Sequence, residues 1–152
     1  MDIPYGHYAR ILHGCIDGAM NSALEEMELT AAQGRVMGYL SRQQAPPCPR
    51  DLEEAFHLSH PTVSGLLSRL EQKGFLQLRT DLEDRRCKRI YILPKGVQCH
   101  ERMHNTICQI EDQIVLDFTP EEQQQFAALL QRAIHNLGGN PHYQKYKEDP
   151  ND

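Results

Sequence analysis

The apolar positions near the middle of the chain form two neighbouring helical stripes. The first, at i, i+3 and i+4, comprises Leu52, Ala55 and Phe56, and the second, at i, i+3, i+4 and i+7, comprises Val63, Leu66, Leu67 and Leu70. Each spacing places its residues on one side of a helix, where they can pack against a core. With Leu58 and Ser59 as the turn between them, the stripes predict a helix-turn-helix unit.

The opposite side of the second predicted helix is small and polar. At about 100° per residue, Pro61, Gly65 and Ser68 point away from the apolar stripe. A face of this kind fits the major groove of B-DNA, where hydroxyl and guanidinium groups can reach base edges. The residues predicted to face bases and phosphates are Ser59, His60, Pro61, Thr62, Ser64, Gly65, Ser68 and Arg69.

Two short β runs, residues 75–79 and 89–93, follow this helix and flank a charged loop. Gly74 suits the end of the helix because glycine readily adopts the left-handed position after the last turn. The two runs then predict a hairpin. Such a hairpin carries its loop at the tip, where cationic side chains can enter a minor groove or bind phosphates. The residues predicted to do so are Arg85, Arg86 and Lys88.

These residues resemble the MarR family (multiple antibiotic resistance regulators) of transcription factors. Residues 81–96, DLEDRRCKRIYILPKG, are similar to the family's wing, and residues 58–75, LSHPTVSGLLSRLEQKGF, to its recognition helix. Arg86 falls where the family usually keeps its wing arginine. Leu93 departs from the pattern, because a threonine is common there.

The resemblance is strong over residues 29–96. It implies a mainly α fold with a small β-hairpin wing (α+β), in which a winged helix-turn-helix is flanked by terminal helices that form a dimerisation domain. It also implies a sequence-specific DNA-binding transcriptional regulator, a dimeric repressor that a small ligand relieves.

The N-terminal part of the chain predicts two helices and a linker. Residues 8–27 carry a wide apolar stripe, which indicates a helix that packs on another helix or on a second chain. Thr30 and Gln33 form a capping-box pattern that starts a second helix, running to about Arg42. Three prolines within residues 45–49 exclude a continuous helix there, so this stretch is the predicted linker.

The C-terminal part predicts two more helices. Pro94 begins a long helix of some 36 Å, at about 1.5 Å per residue, and its apolar stripe runs for about six turns and ends at Phe118. Thr119, Pro120 and Glu122 provide the start signal of a last helix. Because the terminal helices carry more apolar surface than the small winged unit can cover, they predict a homodimer. A twofold dimer would place its two reading helices roughly 34 Å apart on a near-palindromic operator.

The predicted organisation of the chain therefore has four parts. Residues 1–44 form N-terminal helices that dimerise and link to the DNA-binding lobe, and residues 45–94 form the winged helix-turn-helix. Residues 95–137 form the C-terminal dimerisation helices, and residues 138–152 a flexible tail.

The net charge of −5 conflicts with DNA binding until the charges are located. Residues 61–96 hold eight basic and four acidic residues, a local balance of +4, which leaves −9 on the remainder. Affinity for nucleic acid follows the charge of the contacting face, and the acidic remainder favours one docking orientation.

Other classes of protein find little support in the sequence. No apolar run approaches the roughly 18 residues of a membrane span, and the start of the chain does not resemble a signal peptide, so a cytoplasmic protein without membrane contact is expected. Enzyme motifs such as a phosphate-binding glycine loop are missing, so we expect no enzyme and no cofactor. Five cysteines without a C-x-x-C pair indicate reduced thiols.

Several side chains are candidates for sensing. His100 and His104, with Cys108, recur every fourth residue, a spacing that suits a metal but more often marks a helix surface. Some relatives sense oxidants through a cysteine placed like Cys15, although burial as a small hydrophobic side chain is the favoured interpretation here. Cys87 in the wing is expected to be the more exposed thiol, and its oxidation would disturb DNA contact.

A small-molecule effector would bind where the dimerising helices meet the winged unit, as in many members of the resembled family. By position, the candidate lining residues are His13, Met20, Met37 and Tyr39. Two alternatives to the ligand-relieved repressor stay open. One is a metal- or redox-responsive regulator, and the other is a winged-helix protein-interaction module, which requires an apolar patch on the outer face of the second helix.

Overall fold

The computed structural model describes residues 3–138 of the chain. Within them, six α-helices and one antiparallel two-stranded sheet follow in the order α1, α2, α3, α4, β1, β2, α5, α6. The helices are α1 Tyr5–Glu26, α2 Ala31–Ser41, α3 Pro49–Phe56, α4 His60–Gln72, α5 Pro94–Ile114 and α6 Pro120–Asn136, and the strands are β1 Leu76–Thr80 and β2 Lys88–Ile92. The predicted mainly α, winged helix-turn-helix fold is confirmed.

One hydrophobic core joins the N-terminal helices to the winged unit. Its buried members are Leu24, Met27, Leu29, Val36, Met37, Leu40, Leu52, Val63, Leu67, Leu70, Phe75, Leu76, Ile90 and Cys99. Phe75 and Leu76 are no more than 2% exposed, so the hairpin is anchored where α4 passes into β1. Burial of this apolar surface, at about 25 cal/mol per Å², is the main force that fixes the wing beside α4.

Local hydrogen bonds set the helix ends as the sequence predicts. Thr30 Oγ1 accepts the Gln33 N–H at 3.2 Å and Gln33 Oε1 accepts the Thr30 N–H at 3.1 Å, so the capping box of α2 is confirmed. Thr119 and Glu122 form the same reciprocal pair at the start of α6. Gly74, which follows the C-cap Lys73 of α4, has φ +79°, the left-handed conformation that glycine permits.

The β-hairpin lies one residue away from its predicted bounds at each end. Phe75 is not part of β1, because its N–H donates to Leu70 O at 3.0 Å and closes the exit of α4. Leu93 is not part of β2, because its N–H donates to Phe75 O at 3.0 Å and its carbonyl accepts from Gly96 at the start of α5. The strands pair in the register Leu76 with Ile92, through to Thr80 with Lys88.

The long C-terminal helix is shorter than predicted. It ends at Ile114, and Phe118 lies outside it, because Asp117 adopts φ +65° and turns the chain before α6. The prediction of one stripe of six turns through Phe118 was wrong, since spacing alone does not register a left-handed residue. At its other end, the first turn of α5 packs closely against the backbone of Phe75, since a Cβ on Gly96 would lie 2.3 Å from Phe75 O.

The chain divides into two compact units, one up to Ile110 and one from Glu111. In the second unit, the rings of Phe118 and Phe126 meet edge to face with their centroids 5.6 Å apart. Of the predicted tail, only Gly138 belongs to the described part of the chain, and the rest lies outside it. No helix among residues 3–138 is long and apolar enough to cross a membrane.

Candidate nucleic-acid interface

Helix α4 presents one face to the core and the other to solvent. Val63, Leu67 and Leu70 are at most 2% exposed, whereas the predicted reading residues lie outward. These exposed residues are Ser59, His60, Pro61, Thr62, Ser64, Gly65, Ser68 and Arg69. Along α4, the exposed positions carry no bulky apolar side chain. A Cβ added at Gly65 would meet no atom within 4 Å, so the middle of this face is open.

The turn between α3 and α4 is fixed by short-range contacts. His57 adopts the left-handed conformation at φ +52° and ends α3. Ser59 Oγ accepts the Thr62 N–H at 3.4 Å and so caps α4. At the next residue, the first of α4, His60 Nδ1 lies 2.6 Å from Glu53 Oε1 on α3. This contact links the beginning of α4 to α3 and orients the end of the helix that would enter the groove first.

The tip of the hairpin is ordered by its own acidic residues. Asp81 Oδ1 accepts the backbone N–H groups of Glu83 at 2.8 Å and Asp84 at 3.3 Å. Asp84 Oδ1 in turn accepts the Arg86 N–H at 3.0 Å. The carboxylates are therefore turn-forming groups that shape the loop, and they fix the backbone from which Arg86 projects.

An ion pair closes the base of this loop. Arg89 Nε lies 2.5 Å from Asp81 Oδ2. The hydrogen bond from Arg89, followed by those from the backbone of Glu83 and Asp84, lowers the pKa of Asp81 from 3.8 to about 2. Asp81 therefore stays ionised over the whole physiological range, and Arg89 is committed to the wing rather than free to bind another anion.

The three predicted wing cations are disposed differently from Arg89. Arg85, Arg86 and Lys88 are exposed, and none of them forms an ion pair within the described part of the chain. Unpaired guanidinium and ammonium groups on a shaped loop retain their full capacity to bind phosphate.

A groove of about 640 Å³ brings the helix and the wing together. Ser64 and Ser68 of α4 line one side, and Arg86 and Lys88 of the hairpin line the other. Arg85 is not among the residues that line it, and neither are Pro61, Gly65 and Arg69, which lie on the outer surface. The two elements that the sequence singles out are thus adjacent, with hydroxyl groups facing cations.

The acidic residues of the groove are already engaged. Glu71 Oε1 accepts the Leu78 N–H at 2.8 Å, which ties α4 to β1. Glu53 contacts His60, as described above. A carboxylate whose oxygen accepts a hydrogen bond from a protein donor offers less uncompensated negative charge to an approaching phosphate. The groove is therefore more favourable to an anion than the number of acidic residues that line it suggests.

Arg50 is a groove residue that sequence reasoning missed. It lies in the first turn of α3 and lines the same cavity, with its side chain 81% exposed and paired to Glu54 at 3.0 Å. The contact of Glu53 with His60 and the bond of Glu71 to β1 were missed as well. Each joins residues at least seven positions apart along the chain, and no local spacing signals them.

The four candidate ligand-pocket residues have dissimilar surroundings. Met37 is 0% exposed in the core, Met20 is half-buried, and His13 is exposed and 3.2 Å from Asp17. Tyr39 packs edge to face on Phe56 with ring centroids 5.6 Å apart, and burial, then the charge of Asp51, raises its pKa. None of these four side chains is among the described residues that line the groove of about 640 Å³.

The candidate sensor residues lie mostly at the surface. Cys15 is exposed, contrary to the burial expected of it, and Cys87 is half-buried, so the expected order of exposure of these two thiols is reversed. Within the described residues, Cys15 on α1 is left uncovered. His100 and His104 are exposed on α5, and His104 Nε2 lies 3.7 Å from Cys108 Sγ. Within residues 3–138, no three metal-ligating side chains come together.

Comparison with known proteins agrees with this geometry. The model of a family described as the MarR family matches residues 27–86. The HTH-type transcriptional regulator PecS of Dickeya dadantii (strain 3937) is 28% identical over 127 residues, which cover 82% of this chain and 76% of that protein.

Two solved structures are similar over most of their length. A complex of S. aureus MepR with DNA superposes with a TM-score of 0.79 at 28% identity, covering 88% of this chain and 99% of that one. A putative MarR family transcriptional regulator from Clostridium acetobutylicum superposes with a TM-score of 0.77 at 29% identity, covering 89% and 99%.

Proposed function

We propose that this chain, a member of the MarR family of winged helix-turn-helix transcriptional regulators, binds a near-palindromic DNA duplex as a homodimer and represses transcription. The observation that carries the proposal is the groove in which Ser64 and Ser68 of α4 face Arg86 and Lys88 of the hairpin. A DNA-bound regulator of this kind works in the cytoplasm, where the chromosome lies.

In this proposal α4 lies in the major groove. Between His60 and Arg69 its exposed face has no bulky apolar and no acidic side chain, which allows the helix backbone to approach base edges closely. Ser64, Ser68 and Arg69 then supply donors to bases, and the N-terminal turn of α4 supplies backbone N–H groups to a phosphate.

The hairpin makes the accompanying contacts to the sugar-phosphate backbone and the minor groove. Arg85 and Arg86 stand at its tip and Lys88 at the start of β2. Because α4 and β1 are joined by the Glu71 to Leu78 hydrogen bond and by the buried Phe75, the two elements approach DNA as one body. The spacing between the base contacts and the phosphate contacts is therefore preset.

The proposed dimer interface is formed by the terminal helices. Tyr5, Tyr8 and Ile11 of α1 are 73%, 59% and 49% exposed, and Leu129 and Leu130 of α6 are 48% and 40% exposed. Apolar side chains left uncovered at this density favour burial by a second copy. The structure of the S. aureus MepR–DNA complex superposes over 88% of this chain.

The protein-interaction alternative lacks its required feature. It needs an apolar patch on the outer face of α4, and that face is polar along its whole length. Relief of repression by a small ligand is an expectation from the family and stays a prediction.

The test is selection of bound duplexes from a random pool, repeated at several salt concentrations, together with sedimentation of the free protein. We expect an enriched pattern with twofold symmetry and half-sites separated by about one helical turn, an affinity that falls steeply as salt rises, and a dimer. A pool without enrichment, or a monomer that binds one half-site, would contradict the proposal.

A further inference from the structure

Two cysteines far apart in sequence flank the groove described above. Cys48 is the residue before α3, in the proline-rich linker, and Cys87 is the last residue of the wing loop before β2. Both are half-buried and both line the groove. A side chain in this position is neither locked in the core nor freely exposed, so small oxidants can reach it.

The backbone holds each cysteine in place. The Cys48 N–H donates to Asp51 Oδ2 at 2.7 Å, which fixes the residue at the start of α3. The Cys87 N–H donates to Asp84 O at 2.9 Å, and its carbonyl accepts the Asp81 N–H at 2.9 Å. Cys87 is thus part of the ordered turn that Asp81 builds.

Hydrogen bonds between the linker and β2 bring the two residues together. The Ile90 N–H donates to Pro47 O at 2.9 Å, and Arg89 Nη1 donates to Pro46 O at 3.4 Å. Cys48 is the next residue after Pro47, and Cys87 immediately precedes β2, the strand that carries Arg89 and Ile90. The two side chains are close enough for the charge of Cys48 to raise the pKa of Cys87, and Cys87 Sγ donates to Lys88 O at 3.6 Å.

We propose that Cys48 and Cys87 form a redox-modification site, in which a hydroperoxide converts the two thiols to an intrachain disulfide. The thiolate of one cysteine attacks the peroxide, forming a sulfenic acid and releasing an alcohol or water. The second thiol then attacks that sulfur, the S–S bond forms, and the hydroxyl group of the sulfenic acid leaves with the thiol proton as water. The two sulfurs are oxidised by two electrons and the peroxide is reduced by two.

The structure indicates what this bond would change. An S–S bond is about 2.05 Å long, shorter than the contact of two free thiols, so the wing loop must close on the start of α3. Arg86 and Lys88 flank Cys87 directly and would move with it. If the proposed function holds, on which this step rests, the disulfide lowers the affinity for DNA, by about tenfold for the loss of one or two charge contacts.

The surroundings of Cys87 also determine how fast it reacts. Burial, followed by the charge and hydrogen bond of Cys48, raises the pKa of Cys87, with Asp81 adding to the rise and Arg89 opposing it. The thiolate is the reactive form, so cross-linking is slow near neutral pH and accelerates as pH is raised from about 7 to about 9. This behaviour suits a response to sustained oxidation rather than to trace peroxide.

The experiment treats the full chain with hydrogen peroxide, blocks the remaining thiols and digests without reductant. Cleavage after Lys and Arg leaves Cys48 in residues 43–50 and Cys87 in residues 87–88, so the linked pair is a single species that disappears on reduction. Cys48→Ser and Cys87→Ser each remove it, whereas the matched controls Cys15→Ser and Cys108→Ser retain it. Serine is a better helix cap than cysteine, so Cys48→Ser is expected to fold.

Failure of the two proposals gives different results. Absence of the 43–50 to 87–88 species, or linkage of Cys15 or Cys108 between chains in its place, overturns the disulfide. A disulfide that forms without changing the affinity for a duplex that the reduced protein binds overturns its control of DNA binding. If the reduced protein binds no duplex, the proposed function fails while the peptide map still decides whether the disulfide forms.

Discussion

Replacement of Arg86 by alanine tests the proposed wing contact most directly. The side chain is exposed, lines the groove and forms no ion pair within the described residues. The one ordered contact of the residue is its backbone N–H, which donates to Asp84 Oδ1 and is retained in Arg86→Ala. The change therefore removes a charge from the groove without removing a contact of the fold, and its effect on the free energy of unfolding should stay within about 0.5 kcal/mol.

The size of the effect on binding follows from the proposed twofold dimer. Each protomer contributes one Arg86, so the variant loses two phosphate contacts at one operator. The slope of log K against log salt concentration should then decrease in magnitude by about 1.8, at about 0.9 for each contact. At about 1 kcal/mol for each lost contact, the affinity at fixed salt should fall roughly 30-fold.

Fluorescence anisotropy of a labelled selected duplex, recorded between about 50 and 200 mM salt, measures both quantities. The matched control is Arg10→Ala, which removes the same charge from an exposed position on α1. Sedimentation establishes that both variants are as dimeric as the parent. An unchanged slope for Arg86→Ala would refute the wing contact, and an equal decrease for Arg10→Ala would show that net charge alone is responsible.

Three further substitutions probe the parts that position this surface. Gly96→Ala should lower the free energy of unfolding by about 1–3 kcal/mol in urea denaturation, because the new Cβ would lie 2.3 Å from Phe75 O; an unchanged value would contradict that close approach. Ser59→Ala should lower the free energy of unfolding by about 0.5–2 kcal/mol through loss of the α4 cap. A smaller loss would show that the 3.4 Å hydrogen bond from the Thr62 N–H to Ser59 Oγ contributes little. Asp81→Asn should weaken DNA binding with little change in thermal unfolding, because it breaks the pair with Arg89 that closes the loop. The pKa of Asp81 is lowered from 3.8 to about 2, so the ion pair is fully formed above pH 3.8 and is lost only as pH falls through about 2. The pair therefore contributes no pH dependence of DNA binding between about pH 5 and 8. A strong dependence shared by the parent and Asp81→Asn would have to come from another group.

The features of the fold that the sequence predicts are those encoded by neighbouring residues. Thr30 and Gln33 signal the start of α2 because the capping box needs only a spacing of three. Gly74 signals the end of α4 because other residues pay a steric penalty for positive φ. The apolar stripe of α4 likewise predicts its buried face and, by exclusion, its outer one.

The features that could not be predicted depend on distant parts of the chain. Cys48 and Cys87 are adjacent only because the linker is hydrogen-bonded to β2 through Pro47. Asp117 ends the long helix through a backbone conformation that no spacing reveals. The exposure of Cys15 depends on whether a second chain covers α1. No single position in the sequence of one chain indicates whether it does.

Lys73 joins the candidate DNA surface to the N-terminal helices. Its Nζ donates to Glu28 O in the turn between α1 and α2, and to Oε1 of the buried Gln33 at 3.2 Å. Lys95 at the start of α5 donates to the carbonyl of Lys73 at 2.8 Å. The C-terminal end of α4 is therefore held from both sides by helices that the proposal assigns to the dimer, while Glu71, two residues earlier, holds the wing. These hydrogen bonds connect the α1–α2 turn directly to α4 at Lys73 and, through Glu71, α4 to the wing, so a shift of that turn would reach the candidate DNA surface along a continuous set of contacts.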